Sequence, residues 1–141
     1  QGGIEPYNDW CIGSKMVASY YKDQARKTGI QPDAVVILDM IGDPELGIYR
    51  EKFSDPELGD EIWAVAAEAG YEDQFVNRAR FSVYDDHIPF IEAGMRAVDL
   101  IDFDDPEWHT VRDDLSNVSQ ASLQAVGEVV LTWIERYSEK E

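Results

Sequence analysis

An α/β fold, a three-layer sandwich in which a mixed sheet is flanked by helices, follows from three features of the sequence. Ala34-Val35-Val36-Ile37-Leu38 is a continuous apolar run of strand length, rich in β-branched residues. Ala97-Val98-Asp99-Leu100-Ile101-Asp102 is a second core strand, introduced by Gly94. Around them, apolar residues recur at helical spacing in three segments, and strands alternating with helices belong to sheets covered by helices.

The first helix covers residues 10–28, with Trp10, Met16, Val17, Tyr20 and Tyr21 as its apolar positions, Asp9 as N-cap and Gly29 as stop. Pro32 precedes the first strand, Asp39 and Gly42 close it, and the lack of alternation predicts burial on both faces. Gly47-Ile48-Tyr49-Arg50 adds a short strand. Asp55-Pro56-Glu57 reads as an N-cap with proline at the first helical position. Leu58, Ile62, Val65, Ala66 and Ala69 then share one helical face, and Gly70 ends it. Residues 71–84 show no clear period and predict no element. Ser119 caps a last helix whose Leu123, Val126, Val130, Ile134 and Tyr137 lie at helical spacing and cover one sheet face.

No repeat or linker interrupts residues 1–141, which read as a single domain with enough apolar material for a core. Two or three strands are few for this many helices. The chain also opens on Gln1, and its first strong strand comes only at Ala34. The expectation is therefore a domain incomplete on its amino-terminal side. Acidic residues outnumber basic ones 29 to 12, a formal charge of −17 that opposes nucleic acid and anionic membrane surfaces as partners. Cys11 is the single cysteine, so no internal disulfide forms. No apolar run approaches the roughly 20 residues needed to span a bilayer, and no basic-then-apolar leader is visible.

The chain has only two histidines, and each sits among candidate metal or acid/base groups: Asp85-Asp86-His87-Ile88-Pro89-Phe90 and Glu107-Trp108-His109-Thr110. In open α/β sheets the ligand crevice lies at the carboxyl ends of the strands, where Asp39 falls and where residues 102–109 follow the second core strand. Asp39 and His109 could supply two zinc ligands. Asp85 and Asp86 offer an acid that orients a water or holds a proton. Each residue also has a purely structural reading. Asp86 equally reads as the N-cap of a short segment at 88–93, and His87 as an interior histidine bonded to a backbone carbonyl. Trp108 equally reads as core packing, and Asp39 as a cap or turn former.

Taken in order, Ile12-Gly13-Ser14-Lys15, Val36-Ile37-Leu38-Asp39-Met40-Ile41-Gly42, Asp85-Asp86-His87-Ile88-Pro89-Phe90, Ala93-Gly94 and Trp108-His109-Thr110 carry a resemblance. The chain resembles the carboxyl-terminal half of the zinc aminopeptidase and glutaminyl cyclase superfamily, metallopeptidase family twenty-eight. The resemblance implies a zinc-peptidase-like fold and makes His109 the carboxyl-terminal zinc-binding histidine. It likewise makes Asp39 the strand-end aspartate, which binds the second zinc in two-metal aminopeptidases and joins a hydrogen-bond network in single-zinc cyclases. Asp86 resembles an acid of that network, taken here as the catalytic one, and Trp108 the aromatic beside the substrate.

The family's other ligands and its general-base glutamate lie upstream of the segment resembling Gln1-Gly2-Gly3. Glu5 and Asp9 fall after that motif and take no catalytic role. By resemblance, the function is a zinc-dependent aminopeptidase-like hydrolase acting on peptide amino termini, inactive as this truncated chain, with one or two zinc ions in the parent family and none necessarily held by this chain. The alternative is a glutaminyl cyclase, and a further one is a non-catalytic fragment or association module whose homo-oligomer covers an exposed sheet edge. The resembled enzymes are often secreted or periplasmic.

Overall fold

The computed structural model describes residues 10–138. In chain order these form α1 (Ile12–Thr28), β1 (Val35–Asp39), β2 (Ile48–Glu51), α2 (Pro56–Glu68), β3 (Phe75–Phe81), α3 (Ile88–Glu92), β4 (Ala97–Ile101) and α4 (Gln120–Ser138). β1 pairs with β4 and β2 with β3, both in parallel, with Val35 opposite Ala97 and Ile48 opposite Phe75. β2 runs beside β4 without forming a ladder with it. The turn between β2 and α2 is tied to β4 by Asp55 N–H donating to the Ala97 carbonyl at 2.8 Å and Asp99 N–H to Ser54 Oγ at 3.0 Å.

Strand alternation sorts the core into two layers. Val98 and Leu100 pack with Leu58, Ile62, Val126 and Val129 under α2 and α4, whereas Ala97 packs with Ala18, Phe90 and Met95 under α1 and α3. Helices thus cover both faces, as the sequence predicts. Every residue of β4 is buried, as expected of a parallel strand between helix layers. The expectation that β1 is equally buried fails. β1 pairs with one strand only among the described residues, and its Leu38 is 45% exposed.

Two helix faces differ from the periodicity. In α1 the side chains of Met16, Val17 and Tyr20 point outward, and Ala18 and Tyr21 make the packing contacts. In α4 the buried stripe is Ser122, Ala125, Val126, Val129 and Trp133, rotated from the expected one so that Leu123 and Ile134 are exposed. Apolar spacing identifies a helix, but a helix with apolar residues on more than one side leaves open which side meets the sheet. β3 replaces the expected irregular stretch. Only Phe75 is buried in it, and its long run of exposed residues removes the alternation that marks a half-buried strand.

The caps are mostly those predicted. Gly29 and Gly70 take left-handed conformations after α1 and α2, where a side chain would be strained. Ser119 Oγ accepts from Ser122 N–H at 3.3 Å. α1 is entered instead through Cys11 in a left-handed conformation with no side-chain cap, and Asp9 lies outside the described residues. Asp55 Oδ1 accepts from Leu58 N–H at 2.8 Å with Pro56 following. Asp55→Ala should therefore cost about 1 kcal/mol by chemical denaturation, and an unchanged midpoint would remove the cap from the account of α2.

Candidate functional site

A cleft of about 500 Å³ opens at the carboxyl ends of β1 and β4, a volume typical of small-ligand sites. Asp39 and Met40 enter it from the end of β1, Ile101 and Phe103 from the end of β4, Trp10 to Ser14 from the start of α1, and Asp85 and Asp86 from the segment before α3. Trp108 and His109 close one side. All four residues singled out from the sequence, Asp39, Asp86, Trp108 and His109, therefore meet in one place.

Backbone strain collects there too. Among the described residues the non-glycine side chains with positive φ are Cys11 (55°), Met40 (51°) and His109 (60°), and each lines this cleft. Such conformations cost of order 1–3 kcal/mol each and persist where the surroundings hold a functional geometry.

The structural alternatives for these residues resolve individually. Asp86 does not cap α3. Ile88 N–H donates to the Asp85 backbone carbonyl at 2.9 Å, leaving the Asp86 carboxylate to accept from Ser14 Oγ at 2.7 Å. Trp10 Nε1–H donates to the Tyr84 carbonyl at 3.1 Å, a second tether between α1 and this acidic segment. Trp108 is half-exposed at the cleft rim rather than core, stacked on His109 at 4.2 Å and tilted against Phe103 at 5.3 Å. Burial, and then the nearby charges of Asp99, Asp85 and Asp86, push the Asp39 carboxyl up, while Met40 N–H bonds to it and holds it down.

His87 is interior, but its partners are carboxylates rather than a backbone carbonyl. Nε2 lies 3.0 Å from Glu51 Oε2 and Nδ1 3.4 Å from Asp99 Oδ2, with all three side chains fully buried. The N–H directions miss good hydrogen-bond angles, although both carboxylates stand within hydrogen-bonding distance of the ring nitrogens. Burial alone would lower the His87 pKa, but Asp99 and Glu51 overcome it and push it up to about 9. Glu51 is held further. Its oxygens accept from Phe53 N–H at 2.8 and 2.9 Å, Ser54 N–H at 2.8 Å and Val83 N–H at 2.9 Å. Burial raises its pKa, but His87 and these backbone groups outweigh that and lower it. Asp99 is raised, by burial above all, although His87 opposes the shift.

Sequence reasoning missed Glu51 and Asp99. An aspartate inside the apolar run Ala97-Val98-Asp99-Leu100-Ile101 was a usable signal, because a buried charge needs a partner. Nothing local to Glu51 gave one.

Asp39 and His109 offer a carboxylate oxygen and an imidazole nitrogen, donor types that suit zinc, but a catalytic zinc takes three protein ligands. Among the described residues, the group of three donors close enough to share an ion is instead Cys11, Asp85 and Asp86. Its thiol suits a cation poorly in the metal-free state, since burial and the two carboxylates push Cys11 up to about 12. We expect calorimetric zinc titration of this chain to show binding weaker than that of a complete three-ligand site, abolished by His109→Ala and retained by Cys11→Ser. The opposite pattern would place the ion at the cysteine.

A helix-flanked α/β sheet with carboxylates, an imidazole and aromatic rings gathered at its strand ends is the class of architecture this chain presents. The chain belongs to peptidase family M28, matched over residues 7–134. It is 30% identical to a Porphyromonas gingivalis glutaminyl cyclase, with a TM-score of 0.80 over 93% of this chain and 51% of that one. A Fimbriiglobus ruber glutaminyl cyclase is 34% identical, with a TM-score of 0.82 over 87% and 43%. A leucine aminopeptidase precursor from Bacteroides thetaiotaomicron is 28% identical, with a TM-score of 0.76 over 86% and 42%. The glutaminyl-peptide cyclotransferase of Boiga irregularis is 27% identical over 93% of this chain and 39% of its own length. This chain thus spans about two fifths of that curated relative.

Proposed function

We propose that this chain supplies one wall of a zinc-dependent site acting on peptide amino termini, and that the reaction of the whole protein is cyclisation of an amino-terminal glutamine. The observation carrying this reading is the convergence of Asp39, Asp86, Trp108 and His109, drawn from three separate stretches of chain, on one strained cleft. Cyclisation is supported by the glutaminyl-peptide cyclotransferases that align with 93% of the chain, and the aminopeptidase reading equally by the M28 family and the leucine aminopeptidase precursor.

In this reaction the α-amine nitrogen attacks the side-chain amide carbon. A ring C–N bond forms, the bond to the amide nitrogen breaks, and ammonia leaves carrying a proton that the amine gave up. The general-base glutamate lies upstream in the family, and from this chain Asp86, which accepts a hydrogen bond from Ser14 Oγ, is the acid we assign to the network that passes this proton on. Trp108 flanks the substrate side chain, and Asp39 and His109 are the residues here that would hold zinc. The ion supplies polarisation of the carbonyl when bound.

The gene product spanning the relatives' full length should convert glutamine-initiated peptides with loss of ammonia and no loss of a residue. Release of free amino acids instead would replace cyclisation with the aminopeptidase reaction. Neither product would overturn the amino-terminal reading.

A second reading, association of this chain with itself, is supported by the outward Met16, Val17 and Tyr20 of α1 and by Leu38 at the β1 edge. Light scattering should then give a mass above that of one chain, and a monodisperse monomer would exclude it.

A further inference from the structure

Beyond the cleft, an aromatic path continues along the molecule. Trp108 stands against Phe103 at 5.3 Å, Phe103 against Phe81 at 5.3 Å, and Phe81 edge-on to Tyr49 at 6.0 Å. Ile48 belongs to the core under α2 and α4, and Arg50 lies over Trp63 of α2, so Tyr49 projects from the other face of β2. Two arginines of β3 end the path, with Arg78 5.3 Å and Arg80 4.7 Å from the Tyr49 ring centre. Arg80 is paired with Asp104, but Arg78 has no ion pair among the described residues. An unpaired guanidinium on an aromatic platform is unusual in a chain of net charge −17, where carboxylates are plentiful.

We propose that this path is an extended subsite for the peptide segment following the reacting amino terminus, and that Arg78 recognises an acidic group on that segment. The proposal rests on the amino-terminal reading above for the direction in which the peptide runs. The half-buried rings of Phe103, Phe81 and Tyr49 give a partly open apolar track, edged by Arg80, which lies over both Phe81 and Tyr49, and Arg78 adds the unpaired charge-selective contact. An extended chain advances roughly 3.3–3.6 Å per residue. The three ring-to-ring steps therefore cover at most about five residues beyond Trp108. The favoured position is a carboxylate, from Asp, Glu or the peptide's own carboxyl terminus, at about the fourth to sixth residue. The overall negative charge repels such peptides at long range, so the preference reads as a local contact that persists at physiological salt.

The test is an NMR titration of this chain with peptides of about six residues, identical except for Glu or Lys at the fifth position and amidated at the carboxyl end. The Glu peptide should bind about fivefold more tightly, the equivalent of one modest ion pair, with shifts at Tyr49 and Arg78. Arg78→Ala should erase that difference by weakening binding of the Glu peptide, and Arg78→Lys should restore part of it. Equal binding of the two peptides, a preference that survives Arg78→Ala, or no binding at all would each overturn the proposal. Acetylating the peptide amino terminus separates the two readings. If the Glu preference persists but acetylation changes neither affinity nor the shifts at Trp108 and His109, the subsite stands and the amino-terminal reading falls.

Discussion

His87→Ala and Glu51→Ala should each destabilise the fold by about 3–5 kcal/mol, because removing one member of a buried charged group leaves the others uncompensated. For Glu51 the loss extends to the backbone donors of Phe53, Ser54 and Val83, of which the buried Val83 N–H would keep no partner. Few single substitutions elsewhere should match this, as total stability is itself only about 5–15 kcal/mol. Urea midpoints at constant m-value would measure it, and a loss under about 1 kcal/mol would mean that water readily replaces the network.

The same group predicts a pH dependence with a definite sign. His87 lies at about 9 in the folded chain against an ordinary 6.5, so its contribution is complete below 6.5 and disappears as pH rises through about 9. Glu51 is lowered, so its contribution is present above its ordinary 4.5 and is lost as pH falls through its folded value. Asp99 is raised and works the other way, costing stability once pH exceeds its ordinary 3.8. Stability should therefore fall on the alkaline side of neutrality, and His87→Gln should lose that slope. A slope that remains in the variant would assign it to another group.

In the full-length gene product, Asp86→Asn should lower kcat on glutamine-initiated peptides by about 10²–10⁴-fold, the usual range for a positioned acid/base group. Ser14→Ala should cost far less, about 0.5–1.5 kcal/mol, since it removes one hydrogen bond to Asp86 and leaves the carboxylate in place. The ranking matters more than either value. Asp86→Asn within about tenfold of the parent would move the proton-transfer role elsewhere, and a Ser14 effect equal to that of Asp86 would make orientation the dominant contribution.

Much of the gathering of residues at the strand ends is legible in the sequence. The strand-end position of Asp39 follows from an apolar run closed by an acid and a glycine, and Trp108-His109 follows the second core strand for the same reason. Motif resemblance then brought Asp86 into the same group. The Glu51–His87–Asp99 network was not legible as a group, since its members sit 36 and 12 residues apart and only β2, β4 and the entry to α3 bring them together. The aromatic path is similar. Tyr49, Phe81 and Phe103 are unremarkable singly, and their contact with one another and with Trp108 depends on β2 pairing with β3 and on the turn after β4.

Local chemistry decided most of the helix and strand segments, β3 excepted, and where most of them stop, because proline, glycine and capping side chains act on their own neighbourhood. It also decided that carboxylates and an imidazole stand at strand ends. Burial and charge state had to wait for the tertiary structure, because desolvation and Coulomb interaction depend on distance in space. That is why Leu38 is exposed in an apolar strand, why α4 turns a different stripe inward, and why His87 is held between two acids far from it in sequence.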